Sequence, residues 1–254
     1  MSERTPRPEP TAYLILGTAR SGSTLLCQAL AGTGLAGDPK EYFGAKMASW
    51  MRKWDTPDPA AYAARLARER ATSNGVFGAK FLWQHLRHLG RASRQHPALA
   101  DLSDGELLAT LFPGVRWVWI TRDDKVRQAV SYWKARESGV WGQRGSRRTI
   151  PLKEPEFDEA GIARLLETVL REEDAIGRFF AANGIVPCRV VYETLAADYE
   201  PTTRGLLACL GIPVPPDLAI ADPRTRKLAD SASDALAERF RLARGLGEGS
   251  AQPG

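Results

Sequence analysis

The chain has 254 residues, of which 43% are hydrophobic, and a formal net charge of +5. This length and apolar content are enough to bury the core of one large α/β domain. The positive charge favours anionic ligands, but Lys and Arg are spread along the chain. No zinc spacing, RNA-recognition signature or basic coiled-coil pattern occurs, so we expect no nucleic-acid partner.

Cysteine usage and apolar runs indicate the cellular setting. Three widely separated cysteines, Cys27, Cys188 and Cys209, predict small core residues in a reducing compartment, with neither a metal cluster nor a disulfide framework. The N-terminal ten residues are polar and proline-rich, and no apolar run reaches the length of a membrane span. We therefore expect a cytoplasmic protein with no membrane span.

Apolar runs alternate with helical periodicity along the chain. In chain order, the pattern predicts a strand at 13–17, a helix at 23–33, a long loop at 37–58 with room for one helical turn, a helix at 59–72, a strand at 76–80, helices at 82–95 and 104–111, a strand at 115–120, a helix at 123–137, an irregular segment at 142–157, a helix at 158–183, a strand at 188–192, a helix at 201–210, a proline-rich loop at 213–223 and a last helix at 231–243.

Strands separated by helices predict an α/β fold, with one parallel sheet covered by helices on both faces and ligands at the carboxyl ends of the strands. We expect a disordered tail at residues 1–11, a single domain over residues 12–245 and a flexible tail at residues 246–254.

The first predicted strand passes into the first helix through a turn of small residues. Such a turn leaves backbone N–H groups free and directs the positive end of the helix dipole at a ligand. The turn also carries hydroxyl groups, a permanent charge and a flexible glycine, which come from Arg20, Ser21, Gly22, Ser23 and Thr24. These residues predict a phosphate or sulfate site, and the alternative is an ordinary Ser-rich turn.

This turn nearly matches a nucleotide P-loop. Gly17 and Gly22 have the P-loop spacing and Thr24 takes the place of its Ser/Thr, but Ser23 stands where the P-loop lysine is required. Without that lysine a magnesium-dependent triphosphatase loses its main contact to the β- and γ-phosphates. A nucleotide with a shorter, metal-free 5′ anion fits the turn better.

Four segments resemble sulfotransferases that use 3′-phosphoadenosine 5′-phosphosulfate (PAPS), and in particular the bacterial trehalose 2-sulfotransferase family. The turn Ala-Arg-Ser-Gly-Ser-Thr at 19–24 resembles their 5′-phosphosulfate loop. Gly-Asp-Pro-Lys-Glu-Tyr-Phe at 37–43 and Gly-Ala-Lys-Phe-Leu-Trp at 78–83 resemble two further family segments. Residues 122–141, with Gln-Ala-Val-Ser-Tyr-Trp at 128–133, resemble the 3′-phosphate segment.

The resemblance implies a P-loop-like sulfotransferase fold and a set of site residues. Glu41 is then the general base. Asp38 is a second candidate nearby in the chain, and without the family motif Glu41 would be interpreted as a solvated loop residue. Lys80, at the end of a predicted strand, would stabilise the leaving group, and Arg20 would contact the 5′-phosphosulfate. The nucleotide 3′-phosphate would be held by Arg122 and Ser131. A late basic loop with Arg224, Arg226 and Lys227 is expected to reach the same phosphate from a region that matches the family poorly.

The resemblance further implies PAPS as donor, adenosine 3′,5′-bisphosphate (PAP) as product, no required metal, a small hydroxyl-bearing acceptor and a homodimer. Trehalose, another glycoside, a glycolipid and a natural-product hydroxyl all stay open as acceptors, and Lys40 replaces the family's usual glutamine. We expect the loops 37–58 and 142–157, including Arg144, Arg147 and Arg148, to shape the acceptor pocket.

The residues also leave alternatives open. His85 lies close enough in the chain to Lys80 to be a second candidate base. A small-metabolite kinase with a degenerate P-loop would require magnesium and a nucleoside triphosphate. A nucleic-acid-binding module would show association that weakens steeply with salt.

Overall fold

The computed structural model describes residues 11–44, 47–141, 156–220 and 231–246 of the 254. Its sheet has four parallel strands in the order β2-β1-β3-β4. The strands are β1 (Thr11–Gly17), β2 (Val76–Leu82), β3 (Arg116–Thr121) and β4 (Cys188–Val191). The predicted parallel α/β fold is therefore confirmed, with β1 in the interior of the sheet between β2 and β3.

Ten α-helices lie in the described segments, together with a 3-10 turn at Pro97–Leu99. They are α1 (Ser23–Gly32), α2 (Met47–Lys53), α3 (Pro59–Arg70), α4 (Trp83–Ser93), α5 (Asp104–Leu111), α6 (Lys125–Ser138), α7 (Glu159–Ala182), α8 (Tyr192–Ala197), α9 (Tyr199–Cys209) and α10 (Ser231–Arg244). Within these segments no helix combines the length and apolarity that crossing a bilayer requires.

The two faces of the sheet bury separate apolar clusters. Alternate β1 residues point to opposite faces, so Leu14 and Leu16 pack with α3, α4, α5 and α7, whereas Tyr13 and Ile15 pack with α1 and α9. All four of these β1 side chains are at most 1% exposed. Burial on both faces explains why the strand is an unbroken apolar run in the sequence.

Side-chain caps mark the start of four helices in the described segments, namely α3, α5, α6 and α7. Helix α5 begins at the capping box in which Ser103 accepts from the Glu106 amide and Glu106 accepts from the Ser103 amide. Helix α2 forms two turns inside the predicted long loop, where we predicted one. One prediction is wrong: α8 begins at Tyr192, where we predicted the end of a strand. Both helices have seven residues or fewer and too little periodicity to stand out.

The expectation of three unpaired core cysteines is also wrong. Cys188 on β4 and Cys209 at the end of α9 form a disulfide, with their Cα atoms 6.1 Å apart. They are 21 residues apart in sequence and meet only because α9 packs back beside β4. Cys27 is the free cysteine, so the cysteine pattern no longer supports a reducing compartment.

We predict that thiol titration of the unfolded, unreduced protein will count one free thiol, that of Cys27. Replacing Cys188 and Cys209 together by Ser should lower the free energy of unfolding by about 3 kcal/mol, because the cross-link restricts the unfolded chain. Urea unfolding measures this loss, and wild-type protein unfolded in dithiothreitol should show the same value. A count of three thiols would contradict the disulfide.

Candidate active site

The turn between β1 and α1 is held in a backbone conformation that leaves the helix end open. Gly22 has φ +90° and Arg20 has φ +62°, both in the left-handed region. Gly22 is the N-cap of α1 and provides no side-chain cap, so the first-turn amides stay available to an anion. The buried Ser21 hydroxyl has no hydrogen-bond partner among the residues that the structure describes.

Arg20 links this turn to α6. Its Nε donates to Ser131 Oγ at 2.9 Å, and its Nη1 donates to the Trp141 carbonyl at 2.7 Å. The structure thus brings together two residues that lie 111 positions apart and that were both predicted to bind the nucleotide.

Gln128, one turn before Ser131 on α6, hydrogen-bonds to the residues that lead from β1 into the same turn. Its fully buried amide donates to Thr18 Oγ1 at 2.7 Å and to the Ala19 carbonyl at 2.8 Å. Sequence reasoning quoted Gln128 only as part of a motif and assigned it no role. A buried glutamine on an otherwise apolar helix face was the signal that could have singled it out.

Arg122 lies where β3 turns toward α6, and it is 9% exposed. Its guanidinium lies over the Tyr192 ring, 4.7 Å from the centroid, and its Nε is 3.6 Å from Glu193 Oε1. Burial lowers the pKa of Arg20, and the positive charge of Arg122 lowers it further. The two guanidinium groups are therefore close enough for their charges to interact, and this arrangement favours an anionic ligand between them.

Glu41 and Lys80 form an ion pair, with 2.6 Å between Oε1 and Nζ. The pair is set by the backbone: residue 40 bridges to Ala79 beside β2, and the Lys80 amide donates to the Lys40 carbonyl at 2.9 Å. Lys80 is 12% exposed in its side chain and Glu41 is 40% exposed. Asp38 instead pairs with Lys40 at the surface, so Glu41 is the carboxylate that lies beside Lys80.

This ion pair lies close to α1. Burial raises the pKa of the Cys27 thiol on α1 to about 12, and the charges of Lys80 and Glu41 also act on that thiol. The register of the sheet agrees, because Leu82 at the end of β2 pairs with Gly17 at the end of β1. The carboxylate and the ammonium therefore lie at the same sheet edge as the turn at residues 19–24, the predicted anion-binding turn.

His85, one turn into α4, also borders the Glu41–Lys80 pair. Burial lowers the pKa of His85 below 6.5, and the positive charges of Lys80 and His88 oppose the raising effect of Glu41. Its Nδ1 is buried and has no hydrogen-bond partner in the described part of the chain. Trp83 packs edge-on against Phe179 at 6.1 Å, as a partly buried member of the core.

Some predicted residues are not described by the structure. Arg224, Arg226 and Lys227, and the acceptor-loop residues Arg144, Arg147 and Arg148, lie outside the described residues. Within the described ranges, no three His, Cys, Asp or Glu side chains are placed to hold a metal ion.

Two further site residues escaped sequence reasoning altogether. Tyr192 and Glu193 follow β4 and contact Arg122 only because β4 pairs with β3. No local sequence motif predicts this strand pairing.

An open helix N-terminus, two guanidiniums and a carboxylate–ammonium pair lie together at one edge of the parallel sheet, an arrangement that suits an anionic ligand. Comparison with known sequences gives the class. The family model for Stf0 sulphotransferase matches residues 12–243. The chain therefore belongs to the Stf0 sulfotransferase family.

Two named relatives span nearly the whole chain. The chain is 30% identical to the trehalose 2-sulfotransferase of Mycobacterium tuberculosis strain Erdman, over 90% of this chain and 94% of the relative. It is 31% identical to that of Mycolicibacterium smegmatis, over 91% and 95%. The sulfotransferase domain from the Curacin biosynthetic pathway aligns at 15% identity and a TM-score of 0.48, over 95% of this chain and 99% of that one.

We predict that Gly22→Ala will impair the site more than the fold. A Cβ at Gly22 would lie 2.3 Å from Cδ2 of Tyr192, and φ +90° disfavours alanine. Unfolding free energy should fall by roughly 1–3 kcal/mol, and sulfuryl transfer should fall by roughly 100-fold because the turn is displaced. Gly32→Ala, at the other end of α1 with nothing within 4 Å of the added atom, is the control. Equal activity of the two variants would contradict this account.

Proposed function

We propose that this protein transfers a sulfuryl group from PAPS to a hydroxyl of a carbohydrate or a related small molecule, with Glu41 as general base. The observation that carries the proposal is the 2.6 Å Glu41–Lys80 ion pair at the sheet edge that also holds the anion-binding turn. A sulfuryl donor bound at the turn would have both a proton acceptor and a cation at its reacting end. The homodimer stays a prediction.

The donor would span the two positive regions of the site. The 5′-phosphosulfate would bind the first-turn amides of α1 and the hydroxyl groups of Ser21, Ser23 and Thr24, where a dianion suits the helix N-terminus. The 3′-phosphate would bind Arg122 and Ser131, because a guanidinium and a hydroxyl suit a phosphate dianion. Arg20, which already bonds Ser131, would connect the two ends.

The transfer itself is an in-line displacement at sulfur. The acceptor oxygen forms the new S–O bond while the bond from sulfur to the 5′-phosphate oxygen breaks, and the electron pair leaves with PAP. The acceptor proton passes to a Glu41 carboxylate oxygen. Once Glu41 is neutral, the Lys80 ammonium loses its ion-pair partner and stabilises the charge that develops on the leaving phosphate.

A sugar hydroxyl is the acceptor that the relatives' names support, because both are trehalose 2-sulfotransferases. Lys40, which replaces the family's usual glutamine, lies where it would affect the binding of this acceptor. Lys40 lies beside Glu41 and pairs with Asp38 at the surface, so a bound acceptor would meet charged side chains there. We propose a polar, polyhydroxylated acceptor on this ground.

We predict that PAP will bind at least about tenfold more tightly than adenosine 5′-phosphate, because charge-assisted hydrogen bonds to the 3′-phosphate are added. Isothermal titration calorimetry in metal-free buffer measures both constants. Tighter binding of ATP with magnesium than of PAP would instead support the kinase alternative.

We predict that Glu41→Gln will lower kcat by about 100-fold to 10,000-fold, the range typical of a lost general base, with PAP affinity retained. Steady-state transfer of labelled sulfate from PAPS to trehalose and a panel of glycosides measures this. Glu69→Gln, an exposed glutamate on α3, is the matched control. Asp38→Asn and His85→Asn test the two other candidate bases, and full activity of Glu41→Gln would remove Glu41 from the mechanism.

A further inference from the structure

The first turn of α8 contacts both positive regions of the site, which are the N-terminus of α1 and the Arg122 guanidinium. The Tyr192 ring lies against Gly22, since an ideal Cβ on that glycine would lie 2.3 Å from its Cδ2 atom. The Arg122 guanidinium lies over the same ring at 4.7 Å. One aromatic side chain therefore contacts both the anion-binding turn and the arginine assigned to the 3′-phosphate.

Glu193 holds Arg122 from another direction. Its carboxylate accepts from the Asp123 amide at 2.9 Å and from the Asp124 amide at 3.3 Å, which fixes the turn between β3 and α6. The same carboxylate is 3.6 Å from Arg122 Nε, beyond a direct hydrogen bond. The buried Nε has no hydrogen-bond partner in the described part of the chain, so the guanidinium is oriented by the ion pair without being saturated.

We propose that Tyr192 and Glu193 are positioning residues that hold the Arg122 guanidinium in place and so set the preference for a donor carrying a 3′-phosphate. The inference rests on the proposed function. Arg122 has a long side chain that would lose much conformational freedom on binding a phosphate. Stacking on Tyr192 and pairing with Glu193 restrict that freedom before the ligand arrives, so less is lost on binding.

Conservative substitutions of Tyr192 and Glu193 can separate an effect on the position of Arg122 from an effect on folding. Glu193→Gln keeps one side-chain oxygen, which can accept from the Asp123 amide as Oε2 does. It replaces the second oxygen, the weaker 3.3 Å acceptor of the Asp124 amide, with an NH2 group and removes the charge facing Arg122. Tyr192→Phe keeps the ring over Gly22 and Arg122, whereas Tyr192→Leu keeps apolar bulk and removes the aromatic face.

The test is the ratio of the dissociation constants of adenosine 5′-phosphate and PAP, measured by calorimetry for each variant. We expect Tyr192→Phe to keep the wild-type ratio, and Tyr192→Leu and Glu193→Gln each to reduce it by about fivefold to tenfold. Arg122→Ala should remove the preference, and adding Tyr192→Leu to it should change the ratio no further. Glu69→Gln is again the control, and urea unfolding checks each fold.

The outcomes separate the two proposals. A wild-type protein with no preference for PAP would overturn the 3′-phosphate site and with it the proposed function. A wild-type preference that survives unchanged in Glu193→Gln and Tyr192→Leu would overturn the positioning role alone, as would equal weakening of both ligands. If Tyr192→Leu does not fold, Glu193→Gln decides the question.

Discussion

Positive charge held at low solvent exposure is the constraint on which this site depends. Burial lowers the pKa of Arg20, and the positive charge of Arg122 nearby lowers it further. The groups that restrain the two guanidiniums are the Ser131 hydroxyl, the Trp141 carbonyl, the Tyr192 ring and the Glu193 carboxylate, which lies 3.6 Å from Arg122 Nε. A ligand anion placed between the two guanidiniums would relieve the repulsion that remains, and so the binding of phosphate and the stability of the site are coupled.

The strand order explains how a 254-residue chain assembles this charge. Because β1 lies between β2 and β3, its following turn has Lys80 on one side and Arg122 on the other. Ligands of parallel sheets bind where the chain order changes direction, which is here beside β1. The topology thus gives the site two ends, with a carboxylate–ammonium pair at one and the guanidiniums at the other.

Sequence reasoning could find what is local and could not find what depends on register. Buried strands and the Ser103 capping box are short-range patterns, and the 19–24 turn and Ser131 carry the family motifs. The short helix α8 lacks enough periodicity to be recognised, and the sequence indicates α2 only as one turn within a loop. Tyr192 and Glu193 reach Arg122 only through the pairing of β4 with β3, and the Cys188–Cys209 contact depends on how α9 packs.

The proposed function gives a physical reason why Ser23 stands where a P-loop has its lysine. A lysine in the turn would carry its charge on the phosphates throughout the reaction. Lys80 comes from the neighbouring strand and is neutralised by Glu41 at rest, so its full charge becomes available to the leaving group only when Glu41 accepts the acceptor proton. An arrangement of this kind stabilises the transition state more than the bound donor, which is the condition for binding energy to increase kcat. The serine in the lysine position therefore suits a site in which proton transfer and charge stabilisation occur together.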